Sequence, residues 1–71
     1  MRFAVLGCGR IGRMHAANLS AHPDTSLVMV YDVHAPSAAE VAEAQGVRVA
    51  DSPEAVFASS EVDAVLVATA T

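Results

Sequence analysis

Four short, mostly apolar runs punctuate the chain: FAVL from Phe3, LVMVY from Leu27, VRVA from Val47 and AVLVAT from Ala64. Each has strand length, and their apolar residues follow one another instead of alternating with polar ones, as in strands buried on both faces. Between them the pattern turns helical, over Arg10 to about Ala21, Pro36 to Gln45, and Pro53 to about Ser59. In the second of these, Ala38, Val41, Ala42 and Gln45 recur at three- and four-residue steps while Glu40 and Glu43 fall elsewhere, the mark of a thin amphipathic helix lying on a sheet. Strand alternating with helix predicts right-handed crossovers, hence an α/β chain of the form βαβαβαβ with a four-stranded parallel sheet.

The residues at the joints agree. Pro36 and Pro53 suit first helical turns, where a missing N–H has no partner to lose; Ser52 is a candidate N-cap and Gly46 a candidate helix stop. His22-Pro23-Asp24 closes the first helix. No repeat, linker or low-complexity tract interrupts the series.

Composition narrows the chemistry. With 71 residues there is room for one domain at most. The single cysteine, Cys8, excludes a disulfide framework and suits a reducing compartment, so a cytoplasmic location is expected, with no metal cluster. The net charge is −4, the only cations are Arg2, Arg10, Arg13 and Arg48, and there is no lysine, so the electrostatic footprint of a nucleic-acid binder is missing. No apolar run approaches the roughly 18 residues that cross a membrane.

The candidate chemistry lies behind the first strand. GCGRIG places Gly7, Gly9 and Gly12 in G-x-G-x-x-G spacing between an apolar strand and a helix. In that setting the first glycine permits the tight turn, the second lets backbone approach a pyrophosphate, and the third lets helix and strand pack closely. The N–H groups and dipole of the helix N-terminus then face the anion. Asp32 ends the second strand 20 positions after Gly12, where the fingerprint requires an acid. Its carboxylate can accept from both adenosine ribose hydroxyls, whereas a 2′-phosphate would meet repulsion with no cation in YDVHAPS to receive it, so NAD is expected over NADP.

The cofactor-binding residues expected from the loop and the second strand are therefore Gly7, Cys8, Gly9, Arg10, Ile11, Gly12, Asp32 and Val33, with no catalytic residue and no metal ligand. The expected fold is a partial Rossmann sheet ordered 3-2-1-4, the N-terminal portion of an NAD(P)-binding domain expected to span residues 1–71 without a substrate domain. Arg10 and Arg13 sit in the first helical turn, where the dipole disfavours cations; a bound pyrophosphate would offset this for Arg10, while Arg13 is expected to extend into solvent. Cys8 contributes its backbone, its thiol being a small filler. Val33, and with it His34, can border the adenine; His15 flanks the buried side of the first helix; Met14, Met29 and Tyr31 are expected only to pack.

RFAVLGCGRIGRMHAANLSAHPD, VYDVH and VDAVLVATAT together resemble the N-terminal part of the Gfo/Idh/MocA oxidoreductases, and within them the inositol 2-dehydrogenase branch, over essentially the whole chain. The resemblance implies that Gly7, Gly9, Arg10, Ile11, Gly12 and Asp32 hold NAD(P). It also implies that Ala68, Thr69, Ala70 and Thr71 form the turn against the cofactor, which adds Ala68 and Thr69 to the expected cofactor-binding residues, with Ala70 in place of the usual proline. It further implies hydride exchange between the nicotinamide and a hydroxyl of a polyol, cyclitol or sugar in a longer parent, itself a homo-oligomer. The proton-transfer lysine of the family's EKP motif, and the aspartate and histidine of its second domain, have no counterpart among these residues.

Two other classes use similar parts. A non-catalytic NAD(H)-sensing or nucleotide-binding module would carry the same loop. A methyltransferase also pairs a glycine turn with a strand-end acid, without needing this spacing. The order 3-2-1-4 further places AVLVAT at an apolar sheet edge, which is expected to make the isolated chain marginally stable and prone to association.

Overall fold

The computed structural model describes residues 1–69; Ala70 and Thr71, half of the expected cofactor-facing turn, lie outside the described residues. The elements run β1 (Arg2–Leu6), α1 (Arg10–Ala21), β2 (Ser26–Tyr31), α2 (Ala35–Gln45), β3 (Arg48–Val49), α3 (Pro53–Ala58) and β4 (Ala64–Val67). All strand pairs are parallel and the sheet is ordered β3-β2-β1-β4, as the alternation of apolar runs and helical segments predicts.

Both faces of the sheet are covered. Val5, Leu27 and Val30 pack with Ala16 of α1 and with Ala38, Val41 and Ala42 of α2, while Ala4, Leu6 and Met29 pack with Val56 of α3 on the opposite side. Strict alternation would put Leu27 on the same face as Met29. The register of β1 on β2 instead slips, Phe3 pairing with Leu27 and Ala4 with Met29, so Val28 is an extra residue and Leu27 joins Val30 beneath α1 and α2.

The third strand is shorter than VRVA suggests. Gly46 ends α2 in the left-handed region at φ 68°, and the Val47 N–H donates back to the Ala42 carbonyl at 3.0 Å, closing a Schellman cap. Val47 is thus committed to the helix end, and only Arg48 and Val49 pair with Met29 and Val30 before the Ser52 cap begins the next helix.

Ser52 accepts the Ala55 N–H at 3.1 Å through its hydroxyl. In a helix of six residues this bond is a large share of the order, and α3 is what holds Val56, fully buried, against the sheet. Ser52→Ala is expected to cost about 1 kcal/mol, read as a lower denaturation midpoint with unchanged slope.

Candidate functional site

The three glycines have three different reasons. Gly7 leaves β1 at φ +103°, with its N–H donated to the Tyr31 carbonyl at 2.7 Å; a Cβ there would stand 2.7 Å from the backbone of Ala68 and Thr69. At Gly12 a Cβ would lie 1.7 Å from the Gly7 carbonyl oxygen, so α1 rests directly on the turn that precedes it. Gly9 is unlike both: its φ of −76° is open to any residue, and a Cβ there would meet nothing within 4 Å. Neither backbone conformation nor internal packing asks for glycine at position 9, and the unfilled space in front of it belongs to a cleft.

That cleft, of about 740 Å³, lies beyond the C-terminal ends of β1, β2 and β4. Gly7, Gly9, Arg10 and Ile11 line it from the loop and the first turn of α1. Asp32 and Val33 line it from the end of β2, and Ala68 and Thr69 from the end of β4. Eight of the ten expected residues are therefore brought together. Leu6, Tyr31 and Pro53 also line it and were not among the expected site residues. Tyr31 was expected only to pack; its place immediately before Asp32, at a strand end, was the available signal.

Cys8 and Gly12 lie off the cleft wall. Cys8 is fully buried, its thiol 3.7 Å from the Tyr31 carbonyl and pushed up in pKa by burial, with the Asp32 charge adding to the shift. Its backbone N–H, the group expected to serve a cofactor, donates to Asp32 Oδ2 at 2.6 Å. Gly12 acts from beneath the loop through the close fit described above. His15 is half-buried beside Ala16, as expected for a helix-flank residue. His34 is not among the residues lining the cleft, and its Nδ1 lies 2.7 Å from Ser37 Oγ.

Charge in the cleft is arranged in two parts. The Asp32 carboxylate accepts the Cys8 N–H and, through Oδ1, the His34 N–H at 2.8 Å; these bonds hold its carboxyl below the usual range. Each oxygen keeps a second acceptor site. Opposite it, Arg13 is the first residue of α1 whose N–H reaches back, to the Gly9 carbonyl at 2.8 Å. The N–H groups of Arg10, Ile11 and Gly12 thus have no helical carbonyl to meet, and no acceptor among the described residues takes the Gly9 N–H.

The arginines divide in the same way. Arg2 pairs with Asp63, Arg48 with Glu61, and Arg13 with Glu40 at 2.7 Å. The last pair ties α1 to α2 at the surface: Arg13 is exposed, as expected, and the helices lie side by side and bring Glu40 within its reach. Arg10, on the cleft, has no ion pair among the described residues. An anion-receiving helix end, a cation beside it and a carboxylate with spare acceptor sites suit a ligand that joins a diphosphate to a diol. Among the described residues no group of acidic, histidine or cysteine side chains is placed to hold a metal ion, and no helix is long and apolar enough to cross a membrane.

Comparison with known proteins bears on this site. The profile of the GFO_IDH_MocA oxidoreductase family, described as an NAD-binding Rossmann fold, matches residues 1–71. The chain is 39% identical to inositol 2-dehydrogenase of Rhizobium meliloti (strain 1021) across its whole length, which is 21% of that relative. A solved UDP-N-acetylglucosamine 3-dehydrogenase from Acidithiobacillus ferrooxidans aligns at 42% identity and TM-score 0.87, covering 100% of this chain and 22% of that one. GenD2 from gentamicin A biosynthesis, solved in complex with NAD, aligns at 33% and 0.90, covering 97% and 20%. The chain thus spans about a fifth of the length of the relatives it matches.

Proposed function

With the chain a member of the Gfo/Idh/MocA oxidoreductase family, we propose that it is the cofactor-binding N-terminal segment of an NAD-dependent dehydrogenase acting on a hydroxyl of a polyol, cyclitol or sugar. The observation that carries this reading is the single cleft onto which the unspent N–H groups at Gly9 and the start of α1 open together with the Asp32 carboxylate. The open space before Gly9 is the cradle that a side chain would fill and a pyrophosphate would occupy. When bound, the nicotinamide would supply the hydride acceptor.

The residues of this chain bind and orient. The first turn of α1 and Arg10 receive the diphosphate, and Asp32 accepts from the adenosine ribose hydroxyls through its spare acceptor sites. Val33, 91% exposed at the cleft rim, offers an apolar surface for the adenine. Proton transfer and substrate recognition fall to the remainder of the parent, which in this reading works in the cytoplasm as a homo-oligomer. Inositol 2-dehydrogenase is similar over this segment, and so is an enzyme of nucleotide sugars, so the segment itself serves hydroxyl oxidation broadly.

Calorimetric titration tests the reading. NAD is expected to bind in preference to NADP, because the anionic Asp32 repels a 2′-phosphate. Asp32→Ala is expected to weaken NAD by roughly tenfold or more, the loss of charge-assisted bonds, and to narrow the gap to NADP. A folded protein that binds NAD no better than NADP or adenosine monophosphate would overturn the assignment.

A further inference from the structure

Among the described residues, the N–H groups that open the glycine-rich turn are fastened to one strand end. Gly7 and Cys8 are its first two residues, and both of their N–H groups donate to the end of β2: Gly7 to the Tyr31 carbonyl at 2.7 Å and Cys8 to Asp32 Oδ2 at 2.6 Å. The second of these is the shorter and the only one made by a side chain. That side chain is itself oriented, since its other oxygen accepts the His34 N–H at 2.8 Å. A continuous chain of hydrogen bonds therefore runs from the loop after β2, through one carboxylate, into the loop after β1. The Cys8 side chain, fully buried, fills the space beneath, so the amide cannot turn toward water for a replacement acceptor without unpacking the core.

We propose that Asp32 is a positioning residue for the glycine-rich loop as well as a ligand of the ribose: its carboxylate fastens the Cys8 amide and so aims the Gly9 and α1 N–H groups before any cofactor arrives. The two duties coexist because each oxygen that accepts one backbone N–H retains an acceptor site for a hydroxyl. Asp32 then acts on the diphosphate, which it does not touch, through the backbone. A substitution made there to change NAD into NADP preference removes the repulsion and also releases the loop. The ligand arm of this inference rests on the cofactor reading above; the loop arm does not.

The unliganded full chain supplies the first test. The Cys8 amide proton, followed by NMR, is expected to titrate together with the Asp32 carboxyl. The bond is intact above the carboxyl's lowered folded value and is lost as pH falls through that value. In Asp32→Ala and Asp32→Asn, exchange of the Cys8 amide is expected to accelerate about tenfold or more, while the amides of Val5 and Val30 in the sheet keep their protection. The second test uses a dinucleotide whose adenosine ribose lacks both hydroxyls. Asp32→Ala is expected to weaken this probe as well, by about tenfold; a residue that served the ribose alone would leave its affinity unchanged. A Cys8 amide indifferent to Asp32 titration, or a hydroxyl-free dinucleotide bound equally by wild type and variant, would overturn the proposal. Should the variants fail to fold, the wild-type titration decides. Should wild type bind no dinucleotide, the cofactor reading fails while the two amide measurements still report on the fastening.

Discussion

Gly12→Ala is expected to prevent stable folding, or to leave a protein at least about 3 kcal/mol less stable than wild type. The added carbon would sit 1.7 Å from the Gly7 carbonyl oxygen and 2.6 Å from its carbonyl carbon. Overpacking is tolerable when the neighbour is the far end of a flexible side chain; here it is main chain, itself fixed by the Gly7 bond to Tyr31 and by a positive φ. Relief requires α1 to lift from the β1 turn, which strips cover from Val5 and Cys8, both fully buried. Small domains keep only about 5–15 kcal/mol in reserve, so the loss is a large fraction of the whole. Thermal or chemical denaturation followed by far-UV circular dichroism measures it, and a variant melting within a degree or two of wild type would show that the turn yields more easily than its geometry allows.

The sheet was legible because its central strands, β1 and β2, are covered on both sides and read as unbroken apolar runs. Consecutive apolar residues in FAVL, LVMVY and AVLVAT leave few alternatives to a central parallel sheet, and the helical segments between them supply the crossovers. The loop was legible because glycine has few reasons to cluster at a strand end. What escaped the reading depends on hydrogen bonds that the pattern of apolar residues does not encode. VRVA looks like a full strand, but Val47 is spent on the cap of α2, a commitment set by the left-handed Gly46. Arg13 is the solvated side chain it looks like, but its partner Glu40 is named only when α2 lies beside α1. Cys8 looks like one more loop amide available to a phosphate, and only the folded arrangement shows Asp32 taking that amide. The spacing of the motif gives the pairing of loop and acid without saying that the two touch each other.

Gly9→Ala separates the demands of the fold from those of the ligand. The backbone at position 9 is in the extended region at φ −76° and ψ −162°, and a Cβ would project into open space. The substitution is therefore expected to change stability by no more than about 1 kcal/mol, the scale of altering a helix N-cap. Cofactor affinity should respond quite differently. The methyl group would stand in the space a diphosphate needs to reach the Gly9, Arg10 and Ile11 amides, and losing two charge-assisted bonds at about 1.5 kcal/mol or more each lowers affinity by at least roughly 100-fold. Paired measurements, a melting curve without ligand and a calorimetric titration with NAD, give the comparison. A large loss of stability with intact binding would mean that Gly9 serves the chain's own packing. The expected inverse, a near-native melt with affinity lowered by roughly 100-fold or more, would locate the reason for that glycine outside the polypeptide, in the group it makes room for.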